Sequence, residues 1–366
     1  MKKDGFTLAE LLAVIAILAL LVIIALPNVL KMFNNAKKDL FLTEAKNIYK
    51  EVSKKYISET MRGNKVSNIS NSNNKLDLES NNLKYNIKLD SMGNIENFQV
   101  SNDTYCLSGI FSNLSELTID KITEGKCEAI VLEPDNFTTD SWETIISAVR
   151  KNNTNKYHVG DTKEIDLGEY GTHNLRISNM SSPSKCSTDG FSQTACGFVL
   201  EFEDIIAIRN MNSTATNKGG WPETNMRAFL NSDIYNLLPD EIKSGIIDTK
   251  VISGHVGTKG EINFSSIDKL YLFSTAEIWK QGSTGLITSD TAMDVTRQLD
   301  YYKNLGVTTD NYAGAIKKYG NTSGIWWLRS ALSRYIYYFY FVGKTGHWGD
   351  NNADFKPGFS PTFRIG

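Results

Sequence analysis

The chain has 366 residues, with 39 Lys and Arg against 41 Asp and Glu, and its formal net charge is −2. This balance argues against a global electrostatic attraction to nucleic acid, although a local basic patch would escape a composition count. The length allows two folded domains besides a terminal anchor.

An apolar run lies close to the N-terminus. From Leu11 to Leu26 every side chain is apolar. A helix over residues 6–26 would be roughly 30 Å long, enough to cross the hydrocarbon core of a bilayer. Two lysines precede the run, which predicts a cytoplasmic N-terminus and an extracellular bulk of the chain. We therefore expect a single transmembrane helix over residues 6–30.

Glu10 is the one charged residue in this predicted helix. A carboxylate in a membrane helix costs about 3 kcal/mol or more unless it is paired or protonated. A cut after Gly5 would give Phe6 a free amino group, which could pair with Glu10 on the same chain or on a neighbour. The residues before the apolar run therefore suit a cleavage site. An ordinary signal anchor with an isolated glutamate is the alternative.

Residues 2–12, KKDGFTLAELL, resemble the N-terminus of type IV prepilins and pseudopilins. The resemblance implies that a prepilin peptidase removes the leader, residues 1–5, by cutting between Gly5 and Phe6. It also implies that Phe6 is N-methylated, that Glu10 sets the register against other pilin subunits, and that pilus machinery assembles the protein from the membrane. Asp4 departs from the family pattern by making the leader less basic.

Residues 31–130 are expected to form a small pilin-like α+β domain. Apolar residues recur at three- and four-residue steps from Val29 to Tyr56, which indicates one buried stripe on a helix that stops near Gly63. The Asn- and Ser-rich residues 64–82 indicate a loop. Strands are predicted at residues 83–89, 95–106 and 118–127. The helix would pack on a small antiparallel sheet built from them, as in short pilin heads.

Four cysteines are present, at positions 106, 127, 186 and 196. None lies in a CxxC pair and the chain has four histidines, which argues against a structural zinc site. A domain outside the cell lies in an oxidising environment, which favours disulfides. We expect the pairs Cys106–Cys127 and Cys186–Cys196, each within its own segment, while other connectivities stay open.

Residues 131–140 are expected to be a linker, and residues 141–366 a larger mixed α+β domain rich in short strands. Ser141 would cap a helix over residues 142–151. Strand patterns follow near residues 165–167, 175–179 and 198–202, and helical patterns near residues 225–231, 240–247 and 275–279.

Several landmarks occur together in residues 140–366, among them Trp326-Trp327-Leu328-Arg329-Ser330 and Pro361-Thr362-Phe363-Arg364-Ile365. As a set they resemble an uncharacterised domain at the C-terminus of many bacterial surface proteins. More loosely they resemble the C-type-lectin-like and formylglycine-generating-enzyme folds, and function does not follow from such a fold resemblance. Arg329 and Arg364 each lie among apolar residues, so we expect both to make buried hydrogen bonds to carboxylates or carbonyls.

The sequence offers little support for catalysis. The histidines have no helical metal spacing, and there is no GxSxG motif or Walker-type phosphate loop. Formylglycine-type chemistry needs a cysteine pair late in the domain, whereas the last cysteine here is Cys196. We therefore expect no catalytic residue, no cofactor, no metal site and no enzyme activity.

The strongest concentration of aromatic residues lies near the C-terminus. Aromatic faces stack on sugar rings, so Trp327, Tyr338, Trp348 and Asp350 are candidate binding residues for a glycan or another host-surface ligand. The alternative, which we favour, is a buried strand, because residues 335–341 place aromatic side chains on both faces.

Oxygen-bearing side chains also gather here, at Asp350, Asn351, Asn352 and Asp354. Calcium takes such ligands, but the spacing matches no EF-hand loop. The same residues suit an ordinary turn, which is the interpretation we favour.

Together these features predict a type IV pilin-like subunit, minor because of its large extra domain, that is held in the membrane by its first helix. The extra domain would be adhesive and displayed on a cell-surface filament. A second hypothesis is a pseudopilin of a DNA-uptake or type II-like secretion apparatus. A third is a surface enzyme anchored by a pilin-type helix.

Overall fold

The computed structural model describes residues 8–63, 66, 68–71, 74–78, 83–90, 92–127, 134–258 and 260–366, without the side chains of residues 9, 10, 24, 25, 27 and 28. The chain divides into two compact units, Met1–Val131 and Leu132–Gly366, called here the first and the second unit. Each combines helices with mainly antiparallel strands, so the predicted α+β class is confirmed.

The first unit begins with one long helix, α1, Leu8–Met61. Its second half buries one face, at Phe41, Ala45, Ile48 and Val52. The stripe predicted from Val29 onward is therefore shorter than expected, since the first of its residues to be buried is Phe41. The helix stops before Gly63, as predicted. Gly63 has a φ of 85°, in the left-handed region that glycine adopts without strain.

The first half of α1 is apolar and exposed. Every side chain described between Leu8 and Leu30 lies at the surface of the single chain. An apolar surface of this length needs a cover of lipid or protein. No helix within the described part of the chain combines the length and the hydropathy that a membrane crossing requires.

The sheet of the first unit has five antiparallel strands in chain order: β1 Asn68–Ser70, β2 Lys84–Leu89, β3 Ile95–Ser101, β4 Tyr105–Gly109 and β5 Ile122–Glu124. Strand β1 lies in the segment predicted as a loop. It forms a strand because β2 supplies hydrogen-bond partners for its backbone, and the composition of the segment does not reveal this pairing. The predicted strand over residues 95–106 is two strands, since Asn102 Oδ1 accepts bonds from the amides of Thr104 and Tyr105 and turns the chain. The strand predicted over residues 118–127 is shorter, and short 3₁₀ helices at Leu114–Glu116 and Ile119–Lys121 precede it.

The core of the first unit lies between α1 and this sheet. It includes Ile87, Phe98, Val100 and Leu107, each with no exposed surface. The predicted turn between β2 and β3 contains Gly93, with a φ of 86°. A Cβ atom on Gly93 would lie 2.4 Å from the ring of Tyr56 on α1, so glycine allows this turn to approach the helix.

Both expected disulfides are present. Cys106 on β4 is bonded to Cys127, which follows β5. The disulfide therefore ties the segment after the edge strand β5 to the neighbouring strand β4. In the second unit, Cys186 is bonded to Cys196. No cysteine is free.

The second unit contains many short elements. Its helices are α2 Trp142–Arg150, α3 Asn225–Phe229, α4 Tyr235–Leu237, α5 Asp240–Lys243, α6 Thr275–Ile278 and α7 Asp300–Asn304, with a π-helical turn Leu230–Ile234 between α3 and α4. Its strands are β6 Thr162–Asp166, β7 Thr172–Asn179, β8 Phe198–Phe202, β9 Ala207–Ile208, β10 Thr249–Ser253, β11 Phe264–Asp268, β12 Lys318–Tyr319, β13 Thr322–Ser323, β14 Trp326–Ala331, β15 Tyr338–Val342, β16 Trp348–Asn352, β17 Gly358–Phe359 and β18 Thr362–Ile365. Short 3₁₀ helices lie at Gly168–Tyr170, Ser184–Ser187, Gln193–Ala195, Trp221–Glu223, Met293–Val295 and Ala313–Ala315.

Two sheets organise this unit. One has five strands in the order β16-β15-β14-β17-β9, and the other has four in the order β18-β8-β7-β6. Strands β14 and β17 pair in parallel, and the two remaining sheets are the hairpins β10-β11 and β12-β13. Strands β16 and β9 therefore form the two edges of the five-stranded sheet.

The second unit begins within the predicted linker. Phe137 is buried and contacts the rings of Trp142, Tyr157 and Phe198. Helix α2 starts as predicted, because the Ser141 hydroxyl accepts a bond from the amide of Thr144 at 3.1 Å. The later part of residues 131–140 thus packs with the domain that follows.

Two buried ion networks lie inside the second unit. Glu277 on α6 and Arg329 on β14 are fully buried, and Arg329 Nη1 donates to Glu277 Oε2 at 2.6 Å and to the carbonyl of Leu272 at 2.7 Å. The buried bonds predicted for Arg329 are therefore confirmed. Arg364, half-buried, donates to the carbonyl of Cys196 at 2.7 Å.

The second network centres on Glu201 of β8. Its carboxylate accepts bonds from Arg176 of β7, from Lys317 at 2.7 Å and from the hydroxyl of Tyr302 at 2.8 Å. Burial by itself would raise the pKa of the Glu201 carboxyl, but the charges of Arg176 and Lys317 hold it below its usual value. Burial lowers the pKa of Lys317 to about 8.

Candidate ligand-binding site

Three pairs of residues on β15 and β16 share one face of the five-stranded sheet. Alternate residues of a strand point to the same face, and directly opposite residues in an antiparallel pair do so too. The residues that meet this rule are Tyr338 opposite Asn352, Tyr340 opposite Asp350, and Val342 opposite Trp348. We call Tyr338, Tyr340, Trp348 and Asp350 the aromatic strip.

The strip lies on the sheet face that packs against the buried cluster of Trp326 and Leu328, so only the part-exposed sides of Tyr338, Trp348 and Asp350 reach solvent. Its rings are fixed by contacts with one another and with nearby loops. The ring of Tyr340 is buried and meets Trp348 edge-on, with centroids 5.9 Å apart. Trp348 Nε1 donates to the carbonyl of Gly285 at 2.7 Å, and His347 stacks on the same indole at 5.3 Å. These contacts orient a half-buried Trp side chain at the edge of the sheet.

At its other end the strip continues into the hairpin between β14 and β15. Tyr338 contacts Tyr335 at 5.3 Å and Tyr337 at 5.0 Å between ring centroids. Tyr335, Ile336 and Tyr337 are 45%, 67% and 37% exposed. The hairpin tip therefore presents large apolar side chains to solvent rather than hiding them.

A buried asparagine holds this tip in place. Asn217 is fully buried, and its Nδ2 donates to the carbonyls of Leu332, Tyr335 and Tyr338. Its backbone amide donates to the carbonyl of Ile336 at 2.9 Å. The two hydrogens of this amide nitrogen are shared among three carbonyls, and together with the backbone bond they fix the backbone that carries the exposed rings before any ligand arrives.

Asp350 is the polar member of the strip. Its side chain is half-buried, and within the described residues its carboxylate forms no hydrogen bond and no ion pair. Burial raises the pKa of the Asp350 carboxyl. Burial, followed by the charges of Asp290 and Asp350, raises the pKa of the facing Tyr340 hydroxyl. The Asp350 carboxylate is thus partly desolvated, and within the described residues no protein donor compensates for that.

The structure brings three of the four predicted ligand-binding residues together and separates the fourth. Tyr338, Trp348 and Asp350 lie on the strip. Trp327 pairs with Phe341 on the opposite face, has no exposed surface, and donates from Nε1 to the carbonyl of Arg209 at 3.1 Å. Trp327 is therefore a core residue, and its prediction as a binding residue was wrong.

The predicted buried strand is only part of the aromatic run. Phe339, Tyr340 and Val342 of β15 are buried, whereas the hairpin tip before them is exposed. Residues 350–352, predicted as a turn, belong to β16, and the turn follows at residues 353–355. Among the described residues, no cluster of three or more His, Cys, Asp or Glu side chains could hold a metal ion.

Comparison with known protein families identifies both ends of the chain. Residues 1–26 match the prokaryotic N-terminal methylation motif, and residues 198–365, which run from β8 through β18 and include the aromatic strip, match a domain of unknown function (DUF6273). No curated protein and no solved structure matches the chain.

Gly5 and Phe6 lie in the matched motif but outside the described residues, and Glu10 lies on α1 with its side chain outside the description. The resemblances to the prepilin N-terminus and to an uncharacterised domain are confirmed. The chain thus carries the N-terminal motif of type IV pilin-like proteins, and its second unit carries an uncharacterised domain.

Proposed function

We propose that the protein is a minor pilin that displays its second unit on a surface filament, where the aromatic strip binds glycans. The observation that carries this proposal is the half-buried Asp350 carboxylate, which has no donor among the described residues and lies beside the part-exposed rings of Tyr338 and Trp348. Sugars offer hydroxyl donors for the carboxylate and C–H faces that can pack on the part-exposed rings of Tyr338 and Trp348.

The rigidity of the strip supports a binding role. Trp348 is held by the Gly285 carbonyl and the hairpin tip by Asn217. A surface whose rings are already ordered loses less conformational entropy when a ligand binds. The proposal assigns the second unit a binding role and no catalytic one.

The first unit supports the anchoring part of the proposal. Its exposed apolar half-helix would be covered by lipid in the membrane and by other subunits in a filament, as a single-pass anchor with a cytoplasmic N-terminus. The two disulfides suit an oxidising location for the rest of the chain. A prepilin peptidase would cut between Gly5 and Phe6, and Glu10 would then pair with the new amino group of Phe6.

Mass spectrometry of the membrane-bound protein tests the processing step. We expect a mature N-terminus at N-methylated Phe6 in cells with an active prepilin peptidase. Intact Met1 in those cells would contradict this assignment, and Gly5→Leu serves as a control that should block the cut because the peptidase must approach the backbone closely.

A glycan array probed with the full-length protein in detergent tests the binding role. We expect discrete glycan hits that weaken about tenfold or more in Asp350→Asn, because a hydrogen bond to a charged group contributes roughly 1.5–3 kcal/mol. Tyr319→Ala, which removes an aromatic ring that is 46% exposed on β12, is the matched control and should leave the hits unchanged. An array without hits, or equal losses in both variants, would contradict the proposal.

A further inference from the structure

A second candidate site lies at the opposite edge of the five-stranded sheet. Arg209 follows β9, the edge strand furthest from β16, and lines an open pocket of about 360 Å³. The pocket is also lined by Asn210, Ser213, Asn225 and Phe229, and by the acidic side chain of Asp233. Its volume falls in the range of small-ligand sites.

Arg209 is held rigidly in the pocket wall. Its guanidinium carbon lies 3.9 Å from the centroid of the Phe229 ring, and Phe229 meets the buried ring of Phe359 edge-on at 5.7 Å. The backbone of Arg209 donates to the Pro357 carbonyl at 3.0 Å and accepts from Trp327 Nε1 at 3.1 Å. The direction of the side chain is therefore set by a stacked ring and a fixed backbone.

The guanidinium of Arg209 is left without an acceptor. Its Nε is buried and has no hydrogen-bond partner, and no described residue forms an ion pair with it. By contrast, Arg176, Arg227 and Arg329 of the same unit each pair with a carboxylate. Arg329 also has a buried Nε without a partner, but its terminal nitrogens pair with Glu277. The terminal nitrogens of the half-buried Arg209 have no acceptor among the described residues, so they are the donors that an acceptor from outside the chain would meet.

The polar wall of the pocket offers both donors and acceptors. Asn225 Oδ1 accepts from the amide of Ser213 at 2.9 Å, which leaves its Nδ2 for a ligand. Asn210 Nδ2 donates to the carbonyl of Asn212 at 2.6 Å, which leaves its Oδ1 as an acceptor. Amide groups of both polarities suit a ligand that carries many hydroxyls.

From this geometry we infer that the pocket binds an acidic sugar, with its carboxylate on the guanidinium of Arg209 and its hydroxyls on the amides. A planar guanidinium pairs with a planar carboxylate through two parallel bonds. Asp233, whose carboxylate accepts from the hydroxyl of Ser232, opposes additional negative charge, which favours a singly charged group over a dianionic phosphate. The inference deepens the proposed function by naming a glycan class, but it uses residues separate from the aromatic strip.

Titration of the full-length protein in detergent with matched sugars tests the inference. The probes are glucuronic acid against glucose, and N-acetylneuraminic acid against its methyl ester. We expect each acid to bind at least about tenfold more tightly than its neutral partner, the ratio that corresponds to about 1.4 kcal/mol. Equal affinities within a pair, or no binding of either acid, would overturn the inference.

Three variants test which residues cause the preference for the acidic sugar. Arg209→Gln should remove the preference for the acid, and Arg209→Lys should keep only part of it because lysine lacks the bidentate fork. Asp233→Asn should strengthen acid binding, since it removes a like charge, and this arm decides the question even if the Arg209 variants fold poorly. Weaker or unchanged acid binding in Asp233→Asn would contradict the assignment.

The same titrations separate this inference from the proposed function. Asp350→Asn should leave the binding of acidic monosaccharides unchanged, because the aromatic strip lies at the other edge of the sheet. Glycan-array hits that survive Asp350→Asn but disappear in Arg209→Gln would support the pocket and contradict the strip. The reverse pattern would contradict the pocket alone.

Discussion

Two regions of the second unit differ in whether a carboxylate removed from water has a partner within the chain. Glu277 and Arg329 are fully buried, and both carboxylate oxygens of Glu277 accept bonds from Arg329. At the β15–β16 edge, the half-buried Asp350 carboxylate has no donor among the described residues. The comparison teaches that a charge paired inside the chain builds the fold, whereas a charge left unpaired at an ordered surface is available to a ligand and costs stability until one binds.

The largest effect is expected from breaking the paired region. Glu277→Gln keeps the shape of the side chain but leaves Arg329 as an unpaired buried charge, so the free energy of unfolding should fall by about 3–5 kcal/mol. All six Trp residues of the chain lie in the second unit. Urea unfolding followed by tryptophan fluorescence therefore reports on this unit.

Glu203→Gln is the control for this experiment. The Glu203 carboxylate is 35% exposed and lies 3.4 Å from Arg176, so its loss should cost less than about 1 kcal/mol. Equal losses of stability in the two variants would show that burial does not make the Glu277–Arg329 pair more important to stability than the partly exposed Glu203–Arg176 pair.

The charges around Glu277 also predict how stability depends on pH. Burial would raise the pKa of its carboxyl, but Arg329 holds it below the usual value, so the stability is present at neutral pH and is lost as pH falls through the lowered pKa.

A smaller effect is expected at the brace of the hairpin tip. Asn217→Ala removes the donor of three carbonyls, which should lower the free energy of unfolding by about 1–3 kcal/mol and weaken glycan binding, because the exposed rings lose their fixed arrangement. Thr214→Ala, an exposed change in the same loop, should alter stability by no more than about 0.5 kcal/mol. Unchanged glycan binding in Asn217→Ala would show that the tip takes no part in the site.

Regular local patterns carried most of the fold predictions. The alternating residues of β2, the short apolar run of β8 and the capped start of α2 are visible in sequence because each pattern depends on near neighbours. Strand β16 was missed because its Gly, Asp and Asn residues have low strand propensity, and pairing with β15 outweighs that preference. Strand β1, in an Asn- and Ser-rich segment, was missed in the same way, because its pairing with β2 outweighs the low strand propensity of that segment.

The candidate site was predicted only in part. Alternation along β14 indicates that Trp326 and Trp327 face opposite ways, but both of these faces are covered, so neither residue reaches the surface. Asn217 and Arg209 depend on partners far away in the chain, and a single Asn or Arg gives no pattern that could reveal them. Tyr335 and Tyr337 lay in the predicted strand because the aromatic run continues through the turn without a break.

Asp350→Asn, measured for stability and for glycan binding in the same preparation, decides whether the unpaired carboxylate serves a ligand. Because burial raises the pKa of the Asp350 carboxyl, the ionised form costs the folded state stability above the pKa of the unfolded chain. The account predicts that Asp350→Asn leaves the free energy of unfolding at pH 7 unchanged or higher, with the gain vanishing at acidic pH, and weakens glycan binding about tenfold or more. A variant that is less stable than the parent yet binds the same glycans equally well would contradict it.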